Sequence, residues 1–325
     1  MNAEINIVVE LKFSIIIPVY NRPQEIEELL QSLTKQTFTK DFEVLVIEDG
    51  STLKSDEIVS KYEALLNIKY HFKENSGAGA SRNFGMELAM GNYFIILDSD
   101  CIIPAHYLEA VDNALDENYT DAYGGADAAH DSFTTVQKAI NYSMTSFLTT
   151  GGIRGSKNSV GKFQPRSFNF GISKLAYGIT GGFSDMKTGE DIDLTFRLWE
   201  NNFQTQFMEN AFVYHKRRTS LKQFFRQTFL FGNARPFLSR KYPETAKITY
   251  WFPTLFILFF AASLVFLSFG FMLPASLIGF YFIAIFLDSF FKNKKISVAV
   301  LSIATTLIQF TGYGLGFLKG SITGN

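Results

Sequence analysis

The sequence predicts an α/β fold, a mainly parallel sheet flanked by helices, followed by an interfacial segment and a transmembrane helical region. Three observations point there. Apolar runs typical of strands alternate with segments of helical spacing through the first hundred residues, the pattern of βαβ crossovers. Polar residues collect where those runs end. Beyond residue 250 come three long apolar stretches almost without charge.

The run FSIIIPV (Phe13–Val19) reads as a strand buried on both faces. Pro23 suits the first turn of a helix, and Ile26, Leu29, Leu30 and Leu33 repeat at helical spacing. The unit then recurs: strand 43–47, helix 58–66, strand 68–72, helix 81–89, strand 93–97. Ligands of such sheets bind beyond the carboxyl ends of the strands. There stand Asn21 and Arg22, then Glu48 and Asp49, then 75–83, then Asp98 and Asp100. Within NSGAGASRN, Gly77 and Gly79 permit close backbone approach, and Ser81 opens a helix whose amino end favours phosphate. A plain glycine loop with a serine cap is the competing reading.

The stretch NYFIILDSDC (92–101) ends an apolar strand in two aspartates one residue apart. Residues i and i+2 of an extended segment project to the same side, so Asp98 and Asp100 can converge on one point. Two adjacent carboxylates repel, and a hard divalent ion with a diphosphate on its far side is a common answer. The alternative is a strand end that merely begins a turn.

Composition narrows the classes. A formal net charge of −1 gives no basic field for nucleic acid, and the single cysteine, Cys101, excludes an intrachain disulfide framework. The start MNAEINIVVELK lacks the basic start and small-residue cleavage site of a signal peptide, so the first domain is expected to stay where it is made. Basic residues crowd from Arg217 to Lys247. Between 220 and 242 they mix with Phe and Leu as in an amphipathic helix at a membrane surface, although a helix packed on the preceding domain is compatible with the same pattern. The apolar runs 251–273, 274–291 and 296–318 are long enough for three crossings. Lys292, Lys294 and Lys295 fall on the same side as the basic crowd, which the positive-inside rule assigns to the cytoplasm, leaving the C-terminus outside.

Taken in order, IIIPVYNR, VIEDGST, NSGAGASRNFG and FIILDSD resemble the nucleotide-binding half of the family 2 glycosyltransferases, which have the GT-A fold. The resemblance extends over about 12–240. It implies a nucleoside-diphosphate-sugar donor, with Pro18, Tyr20 and Asn21 lining the base pocket, Asp49 on the base or ribose, and Gly77, Arg82 and Asp98 near the donor. Asp98 and Asp100 would be the metal-binding DxD pair for Mg²⁺ or Mn²⁺. The family often has two aspartates before the glycine of the second motif, whereas this chain has Glu48 and then Asp49.

The acceptor side is expected further on. Residues 124–130 (GGADAAH) leave the sheet in this reading, and 143–162, rich in Gly, Ser and Thr, form a mobile loop or lid. SFNFGISK resembles the family's acceptor-facing strand, and TGGF precedes GEDIDLTFRLW. The resemblance makes Asp191 the general base that an acceptor hydroxyl requires. Acids complementing a helix dipole are the alternative. Glu190 is then acceptor-side or structural, and Asp193 faces elsewhere. His215 is an ordinary polar residue or, as in some GT-A enzymes, a ligand of the metal or diphosphate. KQFFRQ resembles the QxxRW motif of processive members with Gln227 in place of the tryptophan, and Gln223 and Arg226 remain available to the diphosphate.

The expected organisation is a catalytic domain at 1–218 (donor half 12–101, acceptor half 102–218), an interfacial segment at 219–248 and a membrane domain at 249–320. The function expected is inverting sugar transfer to a glycan or lipid-linked acceptor by a multi-pass cell-membrane protein with a cytoplasmic catalytic domain. Polyprenyl-phosphate glycosylation and a non-catalytic sugar-binding scaffold are the alternatives. A dinucleotide-dependent dehydrogenase is set aside, because PVYNR and not GxGxxG follows the first strand.

Overall fold

A computed structural model describes residues 12–151 and 162–323. The chain forms two compact units: Met1–Ala126 with Gln164–Asp185 and Arg197–Val213, and Asp127–Phe163 with Met186–Phe196 and Tyr214–Asn325. Elements follow in the order β1 (Phe13–Val19), α1 (Pro23–Leu33), β2 (Phe42–Asp49), α2 (Asp56–Ser60), β3 (Ile68–Lys73), α3 (Ala78–Leu88), β4 (Tyr93–Leu97), β5 (Cys101–Ile102), α4 (Tyr107–Glu117) and β6 (Ala122–Ala128). Then come α5 (Thr135–Thr145), α6 (Phe147–Thr150), β7 (Asn169–Ser173), α7 (Lys174–Thr180), α8 (Glu190–Glu200) and β8 (Thr205–His215). Four long helices close the chain: α9 (Leu221–Lys241), α10 (Phe252–Ser268), α11 (Leu273–Asn293) and α12 (Ile296–Thr323).

The sheet has the order β3-β2-β1-β4-β7-β6-β8-β5. Strands β3, β2, β1 and β4 are parallel, in register Phe13 to Phe42 and Phe13 to Tyr93, so their carboxyl ends share one rim. Strand β7 runs antiparallel to both β4 and β6. Every residue of β1 and β4 is buried, as continuous apolar runs require, and Ile26, Leu29, Leu30 and Leu33 of α1 close over one face. Each such aliphatic side chain removed from water contributes about 1.5–3 kcal/mol.

Four expectations change. Residues Gly124–Ala128 do not leave the sheet but belong to β6. Small residues are required there: a Cβ on Gly125 would lie 1.8 Å from the Ala211 carbonyl oxygen of β8, so a strand without β-branched side chains is what fits. Helix α3 begins at Ala78, one turn before Ser81, whose hydroxyl donates back to the Gly77 carbonyl at 3.0 Å. The helix expected over 58–66 is only the five residues of α2, followed by turns. Of the expected loop 143–162, residues Ser143 to Thr145 complete α5, opened by a capping box between Thr134 and Gln137, and α6 follows; 152–161 lie outside the described residues, as does the N-terminal segment 1–11.

In the second unit, α9 and α5 pack against α12, and α10 and α11 expose long apolar faces. Three helical stretches, Ile248–Ser268, Leu273–Asn293 and Ile296–Thr323, are long and apolar enough to cross a membrane.

The seating of α3 sets the position of the glycine loop before it. Gly85 approaches β1 so closely that a Cβ would stand 2.5 Å from Cγ2 of Ile16. Gly85→Ala is expected to lower stability by about 1–3 kcal/mol despite alanine's better helix propensity, read as a fall in thermal midpoint. An unchanged midpoint would contradict this seating.

Candidate active site

The rim loops are tied to one another by polar side chains. Asn21, after β1, adopts a positive φ of 53°. Its side-chain Oδ1 accepts the backbone amides of Thr52 and Leu53, both at 2.9 Å, and its backbone amide donates to the Ser51 hydroxyl at 2.7 Å. Pro18 is buried within β1, and the Tyr20 ring beside Asn21 is exposed. Glu48 turns inward and accepts from the hydroxyls of Ser51 and Ser55 and the Ser55 amide. The longer acid therefore builds the second loop, and Asp49 alone of the pair faces the glycine segment.

Asp49 organises that segment. Its two carboxylate oxygens accept the amides of Ser76 and Gly77, each at 2.9 Å, and Lys73 at the end of β3 donates to it. The approach is close enough that a Cβ on Gly50, at φ +70°, would lie 2.6 Å from the Asn75 amide. Gly77, at φ +91°, turns the chain into α3 where any other residue is strained. Burial alone would raise the Asp49 carboxyl, but the bonds from Lys73 and the Ser76 amide outweigh it and hold the group below its ordinary value.

Asp98 and Asp100 leave the carboxyl end of β4 as the sequence predicts, and each meets a guanidinium. Arg82, buried in α3, donates to Asp98 at 2.8 Å, and Arg22 donates to Asp100. Arg82 also lies 5.1 Å from the centroid of the Phe183 ring. That ring is fixed by Asn83, whose side chain exchanges two hydrogen bonds of 2.8 Å with the Phe183 backbone. Arg197 donates to the carbonyls of Thr180 and Gly182, so the TGGF loop is held from two directions within the first unit.

Asp191 and Glu190 open α8, whose residues Glu190 to Phe196 belong to the second unit. The Asp191 carboxylate accepts the Ile192 amide at 2.8 Å. Asp193 does face elsewhere: it is fully buried and accepts from Lys241 at 2.6 Å and from the Tyr242 hydroxyl at 2.9 Å. The bond to Asp193 raises the Lys241 ammonium above its ordinary value. His215 ends β8 with its Nδ1 3.4 Å from Arg217. Arg217 is buried against Asp127 and its backbone carbonyl accepts from Gln137. Gln223 and Arg226 lie on the exposed side of the first turns of α9.

Sequence reasoning thus brings Asn21, Asp49, Gly77, Arg82, Asp98 and Asp100 together in one unit. It misses Lys73, Arg197, Asp127 and Arg217, and takes Arg22 only as a rim residue. The signal for Lys73 was register: it stands directly opposite Asp49 across the β2–β3 ladder.

The donor set of Asp98 and Asp100 is two hard carboxylates, which suit Mg²⁺ or Mn²⁺ better than a softer ion. Both are already neutralised by arginines, so a cation there would compete with Arg22 and Arg82.

Comparison with known proteins bears on this site. The family model of Glycosyl transferase family 2 matches residues 14–180. Poly(ribitol-phosphate) beta-N-acetylglucosaminyltransferase TarS of Staphylococcus aureus is 41% identical over 114 residues, which are 34% of this chain and 20% of that protein. The chain thus matches about a fifth of that relative's length. A crystal structure of TarS residues 1–349 aligns with a TM-score of 0.49 at 26% identity, over 68% of this chain and 64% of that one. Mannosyltransferase PcManGT from Pyrobaculum calidifontis, solved with GDP-Man and Mn²⁺, aligns with a TM-score of 0.61 at 16% identity, over 93% of this chain and 88% of that one.

The Asp49 geometry carries a pH signature. A carboxyl held low in the folded protein contributes stability that is complete above the ordinary carboxylate range and is lost as the pH falls through the folded value. Thermal midpoints measured from pH 7 downward are expected to drop in that acid window, and Asp49→Asn to lower the midpoint at pH 7 and flatten the acid dependence. Parallel wild-type and variant curves would contradict the role given to Asp49.

Proposed function

Because the chain belongs to glycosyl transferase family 2, we propose that it moves a sugar from a nucleotide-diphosphate donor to a glycan or lipid-linked acceptor at the cytoplasmic face of a membrane, with inversion. One observation carries the reading. Asp98 and Asp100 leave the end of β4 side by side, flanked by Arg82 and Arg22, on the rim where Asp49 folds the Gly77 loop. The relationship to TarS, named as an N-acetylglucosaminyltransferase, supports a sugar nucleotide as donor.

Each residue then has a task. Pro18, Tyr20 and Asn21 border the base, Asp49 meets the base or ribose, and the Gly77 backbone approaches the diphosphate. Asp98 and Asp100 hold a divalent cation, which when bound offsets the charge that builds on the departing diphosphate. Arg82 and Arg22 stand beside these carboxylates as fixed donors to phosphate oxygens. Asp191 takes the proton of the acceptor hydroxyl as its oxygen bonds to the anomeric carbon. The bond from that carbon to the diphosphate breaks, and the nucleoside diphosphate leaves with the electron pair. Glu190 borders the acceptor, and His215, Gln223 and Arg226 are the remaining candidates for the cation and diphosphate.

The test is transfer by the full chain in membranes, using labelled UDP-, GDP- and dTDP-sugars with Mg²⁺ or Mn²⁺. One donor is expected to yield a labelled product, in the organic phase if the acceptor is a lipid. Asp191→Asn is expected to lower kcat by about 10²–10⁴-fold while donor affinity holds, and Asp100→Ala to abolish metal-dependent turnover. Transfer at the wild-type rate by Asp191→Asn would remove the base assignment. Absence of both binding and transfer across the panel would favour a sugar-binding scaffold.

A further inference from the structure

Hydropathy alone suggests three crossings, but contacts inside the second unit assign another path. We propose that α10 and α11 enter the bilayer as a hairpin and return, that α12 does not cross but lies along α5 and α9, and that the chain ends on the side where α8 begins. The proposal is independent of which sugar or acceptor the enzyme uses.

Both ends of α12 meet the helices that precede the apolar region. At its start, Asp288 near the end of α11 accepts from Tyr142 of α5 at 2.8 Å and from Ser146 at 2.9 Å, and the Lys292 ammonium lies 5.7 Å from the centroid of the Tyr142 ring. Thr305, in the third turn of α12, donates to the Ala139 carbonyl of α5 at 3.1 Å. At its end, Arg240 of α9 donates to the Gly320 carbonyl at 3.1 Å. Between these points the backbones of α9 and α12 nearly touch. A Cβ on Gly312 would lie 2.2 Å from the Thr228 hydroxyl, one on Gly316 2.0 Å from the Phe229 carbonyl, and one on Gly320 2.3 Å from the Asn233 carbonyl. Both positions rise together, so the two helices run side by side in the same direction.

The first residues of α10 meet the same end of α12. Trp251 lies 4.8 Å from Phe317 between ring centroids, and Thr254 donates to the Gly314 carbonyl at 3.3 Å. There too α9 holds the start of α8, through Lys241 and Tyr242 on Asp193. The end of α9, the start of α10, the end of α12 and the Asp191 turn therefore form one cluster.

Charge decides against a crossing by α12. From Ile296 to Gly320 a helix rises about 36 Å, more than the ~30 Å of hydrocarbon in a bilayer. If α12 crossed, the part of α9 beside it would be drawn into the hydrocarbon with Arg226, where a charge is costly, and the end of α9, with Lys241 and the Asp193 it holds, would be carried to the side opposite α5. The larger exposed apolar surface lies elsewhere, while α12 presents Val300, Leu315 and Ile322 along one side. Phe266, Phe269, Phe271, Met272 and Leu277, around the turn between α10 and α11, are exposed, whereas Ser302, Thr305, Thr306, Phe310 and the glycines of α12 are buried by protein.

The experiment labels single added cysteines in the full chain with a membrane-impermeant maleimide, in intact cells and in inverted vesicles. Asp131→Cys, in the exposed loop before α5, marks the side of α5 and α9; Ile322→Cys reports the end of α12; Met272→Cys reports the hairpin tip. The native Cys101 is buried, so the wild type gives the background. Ile322→Cys is expected to label from the same side as Asp131→Cys, and Met272→Cys from the opposite side or not at all. Labelling of Ile322→Cys from the opposite side, or from neither, would overturn the path of α12, and labelling of Met272→Cys together with Asp131→Cys would overturn the inserted hairpin.

Discussion

Neutralisation of acids gathered at one edge of a sheet is the constraint on which the first unit depends. Parallel strands put Asp49, Asp98 and Asp100 on a common rim, where like charges would repel. Each is met by a cation from a neighbouring element: Lys73 across the ladder, Arg82 from α3 and Arg22 from the start of α1. These bonds also fix shape. Asp49 folds the glycine loop onto β2, and Arg82 carries Phe183 and hence the TGGF turn. A site assembled in this way is charged and preorganised, and in the function proposed its arginines pass from carboxylate to phosphate.

The second unit follows a different rule. Its close packing rests on small residues, with Gly312, Gly316 and Gly320 of α12 set against the backbone of α9. Its buried charges are paired: Arg217 with Asp127, and Asp193 with Lys241. Removing one partner of the fully buried Arg217–Asp127 pair costs about 3–5 kcal/mol, whereas Lys241 reaches Asp193 from a partly exposed position. Asp193 therefore positions the turn that carries Asp191, which makes α9 a support for that turn as well as a neighbour of the apolar helices.

Much of this was legible in the residues. Continuous apolar runs marked β1 and β4 because burial on both faces leaves no alternation to misread. The four rim loops were legible because polar residues follow each run at once. Strand β6 was not, since its centre is glycine and alanine chosen for close approach to β8, and propensity reads such residues as loop. Lys73 and Arg22 were missed as site residues because their meaning lies in register and tertiary pairing, which one sequence does not display. The path proposed for α12 differs from the crossing that its hydropathy suggests, because hydropathy measures length and composition, and a helix covered by protein can satisfy both. The GT-A fold itself, by contrast, followed from the order of the motifs.

The central claim is that Asp98 and Asp100 hold a divalent cation together with a nucleoside diphosphate. The most direct measurement is the electron paramagnetic resonance signal of free Mn²⁺ titrated with the full chain, with and without UDP or GDP. The account predicts that one nucleotide strengthens Mn²⁺ uptake by the wild-type chain and that Asp98→Asn with Asp100→Asn abolishes it. Equal nucleotide-dependent uptake by the double variant would contradict the account.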